Sequence, residues 1–407
     1  MTVDTVALPA VAAAAPRPNP GSWRRAWQIG TIYWVICHAG YVAVQLMALR
    51  LNPGVGGLRG LVGTWVRFDG TNYVGIAEQG YPAQTHPQFQ HYGDSVWPAW
   101  PPGYPILIRA FSYVLPGGMN FAALVVSNLA ALGMLVVLYR LVEQELDRDN
   151  ADRTLVCLLA FPTAFFLGVA YSESLFLLLT IGALYCARRG RWWYAGALAG
   201  AASSVRVAGV TIVLALAYEY LRQRDFAWRR IRVDVLGIAL APVGLFAYMA
   251  FLWRRYDDPL MFSHVQIAWG RGSVVMPWTT LGRELRGLHL FGDPDVGVTN
   301  LIDLVALAVA LALLVLCLVG PWRLRRDQLF LVIAGALPLF ISILQPISDP
   351  NGPPWQSMAR YVLSCTPIFL VLAKMAANRY FERFVLFVGL PLQAGLLILY
   401  LQLSWAG

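Results

Sequence analysis

The carboxylate of Asp69 is the strongest candidate for chemistry in this sequence. It lies in a turn flanked by Trp65, Phe68 and Tyr73, with Gly70 directly after it. Aromatic rings can stack on sugar rings, and partial removal of water raises the basicity of a carboxylate, so these surroundings suit a general base. An Asp before a helical stretch also commonly serves as the N-cap of that helix. The residues alone leave both roles open.

The composition places this carboxylate in a membrane protein. Of the 407 residues, 58% are hydrophobic and only 13% are charged, and the mean hydropathy is +0.57. An ordinary soluble domain has roughly 25% charged residues, so a soluble globular enzyme is excluded. Residues 306–319 are apolar on every side, whereas the strands of an outer-membrane barrel alternate apolar and polar residues. The sequence therefore predicts an all-α, polytopic integral membrane protein.

The hydrophobic runs predict about eleven membrane-spanning helices, with a range of about ten to twelve. They cover approximately residues 27–49, 121–141, 154–170, 173–187, 192–204, 207–222, 234–254, 300–320, 328–346, 358–376 and 384–404. The stretch 105–115 is apolar but is interrupted by Arg109. It is predicted to be a re-entrant or interfacial helix.

The distribution of positive charge predicts the orientation. If the N-terminus is cytoplasmic, 20 of the 31 Lys and Arg residues fall on the cytoplasmic side and 11 on the other, as the positive-inside rule expects. Residues 1–22 are then predicted to be a disordered cytoplasmic tail, and residues 23–407 a single transmembrane domain. The two long loops, at about 50–120 and 255–299, face away from the cytoplasm. An active site in these loops would be extracytoplasmic, on an inner or plasma membrane.

The same positive charge, a net +9, could also indicate nucleic-acid binding. Orientation in the membrane explains it better, so no nucleic-acid partner is predicted. The cysteines all lie in apolar segments without C-x-x-C spacing: Cys37, Cys157, Cys186, Cys317 and Cys365. We therefore expect neither a disulfide framework nor a metal site, and no cofactor.

Five motifs resemble, in the same order, those of one known family. They are W-x-x-F-D-G-x-N-Y-x-x-I-A-x-x-G-Y (65–81), W-P-P-G-Y-P-I-L-I-R (100–109), F-P-T-A-F-F-L-G-V-A-Y-S-E-S-L-F (161–176), D-P-L-M-F-S-H-V-Q-I-A-W-G-R (258–271) and S-M-A-R-Y-V-L (357–363). Over residues 23–400 the chain resembles the bacterial branch of the PIG-V mannosyltransferase family. The resemblance implies a GT-C fold with a long first extracytoplasmic loop that carries an essential Asp, here Asp69.

Two positions depart from the pattern of that family. Asn72 stands where related members often carry His, so any role of that His would pass to His86 or His91 or be absent. The stretch W-P-A-W-P-P-G-Y-P stands where the family more usually shows F-F-P-L-Y-P.

The resemblance implies a membrane glycosyltransferase, most simply an inverting mannosyltransferase of glycolipid biosynthesis. It would move a sugar from a polyprenyl-phosphate donor to a lipid-linked or glycan acceptor, with membrane lipid around it. Nucleotide sugars are made in the cytoplasm, so an enzyme on the other face needs a donor that crosses as a lipid. The alternative is a lipid or lipid-linked-sugar transporter or flippase, but transporters commonly carry internal repeats and none is visible here.

Two arginines are candidates for binding the donor phosphate, Arg206 and Arg360. An Arg near the centre of a spanning helix costs about 2.5 to 3.5 kcal/mol on insertion scales, so one that persists usually faces a cavity and a partner. The alternatives are an ion pair with Glu173 for Arg206 and snorkelling to the interface for Arg360. The predicted substrate-binding residues are Trp65, Asn72, Tyr73, His91, Glu173, His264, Gln266 and Trp269. Two alternatives remain open. Glu173 could cap a helix, and His264, Gln266 and Trp269 could anchor the chain at the membrane interface.

Transfer activity is predicted not to need a metal ion. In the external loops only Asp293 and Asp295, as D-P-D, have a spacing that could chelate a cation, and a turn is the favoured interpretation there. We expect EDTA to leave sugar transfer by the purified protein unchanged. Loss of activity in EDTA that Mg²⁺ or Mn²⁺ restores would contradict this and direct attention to Asp293 and Asp295.

Overall fold

The computed structural model describes residues 22–51, 57–83, 93–271, 274–286, 294–347 and 355–403. The predicted tail up to residue 21, together with His86 and His91, lies outside these ranges. The described residues form helices and connecting turns and contain no strand, which confirms the predicted all-α class.

The α-helices are α1 (Trp23–Leu51), α2 (Gly57–Gly63), α3 (Asp69–Gln79), α4 (Gly103–Ser112), α5 (Gly118–Glu145), α6 (Arg148–Leu159), α7 (Glu173–Arg188), α8 (Trp192–Val205), α9 (Ile212–Arg222), α10 (Val243–Tyr256), α11 (Met261–His264), α12 (Pro277–Arg286), α13 (Pro294–Leu318), α14 (Leu329–Leu344), α15 (Met358–Val362), α16 (Thr366–Met375) and α17 (Arg379–Leu401). Short 3₁₀ helices connect them at Asp94–Ala99, Ala164–Leu167, Val207–Thr211, Trp228–Arg230, Val233–Leu240, Val265–Trp269 and Arg326–Gln328.

Five segments in the described ranges are long and apolar enough to cross a membrane: α1, α5, residues 300–318 of α13, residues 326–344, and α17. A sixth forms if the 3₁₀ helix Val233–Leu240 and α10, which meet at 48°, count as one bent span. The chain is therefore an integral membrane protein.

Several predicted spans are shorter helices in the structure. The stretch 173–187 corresponds to α7, which has 16 residues and is about 24 Å long, less than the roughly 30 Å of a bilayer core. The stretch 358–376 is divided into α15 and α16 by a turn at residues 363–365. Turns within apolar sequence set the lengths of these helices. The total of eleven spans stays a prediction. The helix α4, with 10 residues, is too short to span, as an interfacial or re-entrant helix would be.

The helix α5 lies at the centre of the molecule and packs against α1, α4, α6 and α7. At its N-terminal end, α3, α4 and the 3₁₀ helix Asp94–Ala99 form an aromatic layer over the bundle. Tyr73, Trp97, Trp100 and Tyr104 are buried in this layer. The described part of the first long loop thus packs onto the bundle, and we call this side the α3 end.

An ion network closes the opposite end of the bundle. Arg188 on α7 pairs with Glu145 at 2.7 Å, Glu219 at 3.1 Å and Asp327 at 2.6 Å. These three carboxylates come from segments that the charge distribution places on the cytoplasmic side. The structure therefore gathers at one end the segments that are predicted to share a side.

Glycines allow α8 to approach its neighbours closely. A Cβ at Gly196 would lie 1.6 Å from the carbonyl oxygen of Gly237, and one at Gly244 would lie 2.1 Å from that of Gly200. Small residues at helix contacts let backbones pack together in the absence of a hydrophobic driving force between helices. The bent Val233–Leu240 and α10 pair is held against α8 in this way.

We expect Gly196→Ala to destabilise the protein because the added methyl group overlaps a backbone carbonyl that cannot turn aside. Overpacking of this kind costs about 1 to 3 kcal/mol or more. Gly40→Ala on α1 is the matched control, since its Cβ would meet nothing within 4 Å. The measurement is thermal unfolding of both variants in detergent, and an unchanged melting temperature in Gly196→Ala would contradict the packing described here.

Candidate active site

Four charged side chains from separate parts of the chain form one ion network at the α3 end. Arg360 Nη1 lies 2.8 Å from Asp69 Oδ2, and Arg360 Nε lies 3.4 Å from Glu173 Oε1. Arg206 Nη1 donates to the same Glu173 oxygen at 3.0 Å. The structure thus brings together the predicted general base and both predicted phosphate-binding arginines. The proposed pairing of Arg206 with Glu173 is also present.

The members of this network differ in their access to solvent. The side chain of Asp69 is 25% exposed and that of Arg206 is 19% exposed, whereas those of Arg360 and Glu173 are 6% and 2% exposed. Arg360 does not snorkel to the interface but is buried between two carboxylates. Asp69 is therefore the carboxylate of the network that an incoming molecule can reach.

Asp69 is the first residue of α3, and the N-cap position belongs to Phe68. Phe68 has φ 48° and ψ −120°, a backbone conformation that non-glycine residues rarely adopt. This turn directs the Asp69 carboxylate at Arg360 and not at the free N–H groups of its own helix. The helix-cap alternative for Asp69 is accordingly wrong in this structure. An acidic residue in the first turn still interacts favourably with the helix dipole.

Aromatic rings line the buried part of the network. The guanidinium carbon of Arg360 lies 5.5 Å from the ring centre of Phe166, 5.3 Å from that of Tyr171 and 5.4 Å from that of Tyr361. Cations are attracted to such ring faces, and the rings exclude water. Electrostatic interactions inside this enclosure are stronger than they would be in water.

Asp303 on α13 holds the turn that presents Arg360. Its carboxylate accepts hydrogen bonds from the backbone N–H groups of Ser357, at 3.0 Å, and Ala359, at 2.7 Å. Ser357 has φ 73°, so the turn takes a left-handed conformation that these two bonds stabilise. Thr163 Oγ1 donates to the carbonyl oxygen of Ala359 at 3.0 Å. Asp303 was not predicted, although a carboxylate within an apolar span is a recognisable signal.

The residues around Asp69 fix α3 in place. Tyr73 and Ser172 share a hydrogen bond of 2.9 Å between their hydroxyl groups, and Trp97 Nε1 donates to Asn72 Oδ1 at 3.2 Å. The carbonyl oxygen of Trp65 accepts from the N–H of Ala170 at 3.1 Å. Burial raises the pKa of Tyr73, and the Glu173 carboxylate raises it further, so the phenol remains neutral. Tyr73 therefore acts as a hydrogen-bonding group that joins α3 to the turn before α7.

The residues predicted near the second long loop lie on a neighbouring segment that packs against the 3₁₀ helix Asp94–Ala99. His264 is exposed, and its Nδ1 lies 2.6 Å from Asp258 Oδ2. Trp269 meets Trp100 edge to face at 5.3 Å, and Gln266 accepts the N–H of Arg271 at 3.0 Å through its backbone carbonyl. These three residues are not part of the ion network itself.

Arg271, at the end of that segment, contacts Tyr361, whose ring borders the ion network. Its Nη1 donates to the Tyr361 hydroxyl at 3.1 Å, and its Nη2 donates to the carbonyl oxygen of Gln356 at 3.2 Å. The sequence reasoning missed Arg271 as a site residue, although it closes the motif of residues 258–271. The sequence did offer one signal for Arg271, because it ends a motif that contains three other candidate residues.

No group of three or more His, Cys, Asp or Glu side chains with metal-ligand geometry occurs in the part of the chain that the structure describes. Asp293 lies outside that part, and the side chain of Asp295 is not described. Independence from metal ions stays a prediction.

Comparison with known proteins supports the resemblance seen in the motifs. Residues 60–236 match the model of a family described as mannosyltransferase (PIG-V). The GPI mannosyltransferase 2 of Yarrowia lipolytica is 26% identical over 174 residues, which cover 39% of this chain and 48% of the relative. The chain thus matches about half the length of this relative. The predicted resemblance to the PIG-V mannosyltransferases is confirmed, whereas the bacterial branch stays a prediction.

The fold is similar to that of one solved membrane glycosyltransferase, ArnT. ArnT from Cupriavidus metallidurans, in a crystal structure bound to undecaprenyl phosphate, superposes with a TM-score of 0.50 at 16% identity, over 85% of this chain and 60% of that chain. The oligosaccharyltransferase of Archaeoglobus fulgidus, in the apo form, gives a TM-score of 0.43 at 14% identity, over 91% and 56%. The likeness to ArnT defines the class: this is an all-α membrane protein with the GT-C fold.

We expect Glu173→Gln to destabilise the protein strongly, because Arg206 loses its carboxylate partner and Arg360 loses one of its two carboxylate partners. Breaking a buried ion pair from one side typically costs about 3 to 5 kcal/mol. Adding Arg206→Gln to Glu173→Gln should restore part of the loss, since it removes one of the uncompensated charges. Chemical unfolding in detergent micelles measures both effects.

Glu78→Gln, an exposed carboxylate on α3, is the matched control and should change stability by less than about 0.5 kcal/mol. Equal stability of Glu173→Gln and the wild type would show that the ion network does not support the fold.

Proposed function

We propose that this protein is a glycosyltransferase that moves a sugar, most simply mannose, from a polyprenyl-phosphate donor to a hydroxyl group of a lipid-linked or glycan acceptor. The observation that carries the proposal is the accessible carboxylate of Asp69, held 2.8 Å from a buried arginine at the aromatic α3 end of a membrane-embedded bundle. The match of residues 60–236 to the mannosyltransferase (PIG-V) family model supports the choice of sugar.

A lipid-linked donor suits the position of the network. Arg206 and Arg360 lie where the ends of largely apolar helices meet, so an isoprenoid chain could lie among the helices while its phosphate meets the arginines. The planar guanidinium fork matches two phosphate oxygens at once. That ArnT was crystallised with undecaprenyl phosphate is consistent with this donor class for a protein of similar fold.

The reaction we propose is a single displacement at the anomeric carbon. The acceptor hydroxyl oxygen forms the new bond to this carbon as the bond to the phosphate oxygen breaks, and its electron pair leaves with the phosphate. Asp69 takes the proton of the hydroxyl group as general base. The products are an inverted glycoside and polyprenyl phosphate, and the proton on Asp69 then passes to water.

The pairing of Asp69 with Arg360 couples removal of the acceptor proton to departure of the phosphate. The phosphate changes from a monoanionic diester to a dianionic monoester as the sugar leaves. Asp69 becomes neutral in the same step, so Arg360 loses the charge of its partner 2.8 Å away. Its positive charge is then free to stabilise the leaving phosphate, which is a form of transition-state electrostatic stabilisation.

The remaining predicted residues would either position the charged groups or contact the acceptor. Glu173 positions both arginines, while Trp65, Asn72 and Tyr73 hold α3 and so set the position of Asp69. His264, Gln266 and Trp269, with His91 from outside the described ranges, are proposed to contact the acceptor. We place this site on the extracytoplasmic face with the N-terminus in the cytoplasm, in agreement with the charge distribution of the sequence.

Asp69→Asn should still fold, though less stably because Arg360 keeps only the Glu173 carboxylate. It should lose sugar transfer by a factor of about 10² to 10⁴, because the amide can accept no proton at neutral pH. The assay incubates the purified protein with polyprenyl-phosphate mannose and a membrane lipid extract and identifies the product by mass spectrometry. Asp94→Asn is the matched control, since Asp94 is exposed and also begins a short helix of the same loop.

Near-full transfer by Asp69→Asn would rule out the general-base role while leaving the glycosyltransferase class standing. Absence of any mannosylated product with the wild-type protein would count against the proposed donor.

A further inference from the structure

Three arginines converge on the ring of Tyr361 at the active site. The guanidinium carbons of Arg360, Arg206 and Arg271 lie 5.4, 5.7 and 5.9 Å from the centre of that ring. Arg360 and Arg206 share the carboxylates of Asp69 and Glu173. Arg271 has no ion pair with any described residue. Its polar contacts there are a phenol and a backbone carbonyl.

The charges of these groups do not cancel. Asp69 and Glu173 offset Arg206 and Arg360 within the ion network, whereas the charge of Arg271 is paired with no carboxylate of the described residues. A buried or half-buried cation without a counter-ion is costly unless a ligand supplies the negative charge. A phosphodiester supplies one negative charge, which would pair with that of Arg271.

The geometry of Arg271 leaves donors available for such a ligand. A guanidinium has five N–H donors in a planar fork. The bonds to Tyr361 and Gln356 fix the plane of the group, while the buried Nε has no acceptor among the described residues. The Arg271 guanidinium is thus held in one orientation but still has N–H donors without an acceptor. A residue that binds phosphate should be in this state before the phosphate arrives.

Four large apolar side chains close to Arg271 in the sequence are exposed. Ile267 is 58% exposed, Val274 71%, Met276 55% and Trp278 70%. Large apolar side chains exposed together indicate contact with lipid or another apolar partner. An arginine set between them suits a ligand in which a phosphate carries a long hydrocarbon chain.

We propose that Arg271 binds the phosphate of the lipid-linked donor and that Ile267, Val274, Met276 and Trp278 contact the first part of its isoprenoid chain. This assignment rests on the proposed function and adds a residue and a lipid-contact surface to it. Arg271 supplies the charge that no carboxylate offsets, so it holds the diester before transfer. Arg360 interacts more strongly with the phosphate once Asp69 has taken the proton.

The test measures binding and transfer separately, with full-length protein in phosphatidylcholine nanodiscs. Binding of polyprenyl phosphate without a sugar is followed by native mass spectrometry, and transfer is followed with polyprenyl-phosphate mannose. Arg271→Gln should weaken polyprenyl phosphate binding and raise the donor KM about 10- to 100-fold, the range of one lost charge-assisted hydrogen bond. The KM for acceptor and the melting temperature should stay close to those of the wild type.

Two variants serve as controls. Arg271→Lys keeps the charge without the fork and should show a smaller rise in donor KM, which keeps the test valid if Arg271→Gln folds poorly. Arg255→Gln removes a guanidinium that likewise donates to backbone carbonyl oxygens, those of Tyr81 and Pro82, and should leave donor binding unchanged.

The outcomes separate this inference from the proposed function. Wild-type-like binding of polyprenyl phosphate by Arg271→Gln, in a protein whose wild type binds and transfers, would overturn the role of Arg271 and leave the function intact. Equal competition by phosphatidylglycerol would overturn the donor assignment, because the site would then bind any lipid phosphodiester. No binding and no transfer by the wild type would remove the proposed function and this inference with it.

Discussion

The burial of the Arg360 guanidinium is the constraint on which the rest of the α3 end depends. Removing an ionised group from water costs several kcal/mol, and only paired charges and hydrogen bonds offset this cost. Arg360 meets the requirement with two carboxylates, Asp69 and Glu173, each the first residue of a helix. Those helices, α3 and α7, can satisfy it only if their N-terminal ends meet beside α15. The interaction therefore fixes the relative positions of three segments that are distant in sequence.

The same interaction ties stability to the proposed chemistry. Asp69 stabilises the buried arginine in the resting protein and is the base that would take a proton during transfer. The strained backbone at Phe68, with φ 48°, persists because the surrounding contacts hold the carboxylate against Arg360. The turn at Ser357 is held in a similar way by Asp303. A site assembled from such constrained turns keeps its charges in place without reorganisation, and this is what electrostatic catalysis requires.

Much of this arrangement could be predicted from residue types. An ionisable group in an apolar stretch is costly and therefore informative, and this reasoning predicts roles for Arg206 and Arg360 and offers the Arg206–Glu173 ion pair as an alternative. The aromatic surroundings and the family resemblance identified Asp69. Arg271 was missed because it lies at the end of an interfacial segment, where an arginine costs little and is easily taken for part of the surface. Asp303 was missed because a single acid in α13 received less weight than the apolar run around it.

The sequence by itself determined the class of the protein: an all-α membrane protein whose candidate base lies in a loop between apolar segments. Composition suffices for this because the bilayer penalises every unpaired polar group. Only the tertiary structure decided that Asp69 pairs with Arg360 instead of capping its helix, since the N-cap position depends on the backbone angle of Phe68. It also decided the helix lengths, because turns within apolar sequence leave no signal in hydropathy. Pairing across 291 residues is a property of packing, which no local pattern contains.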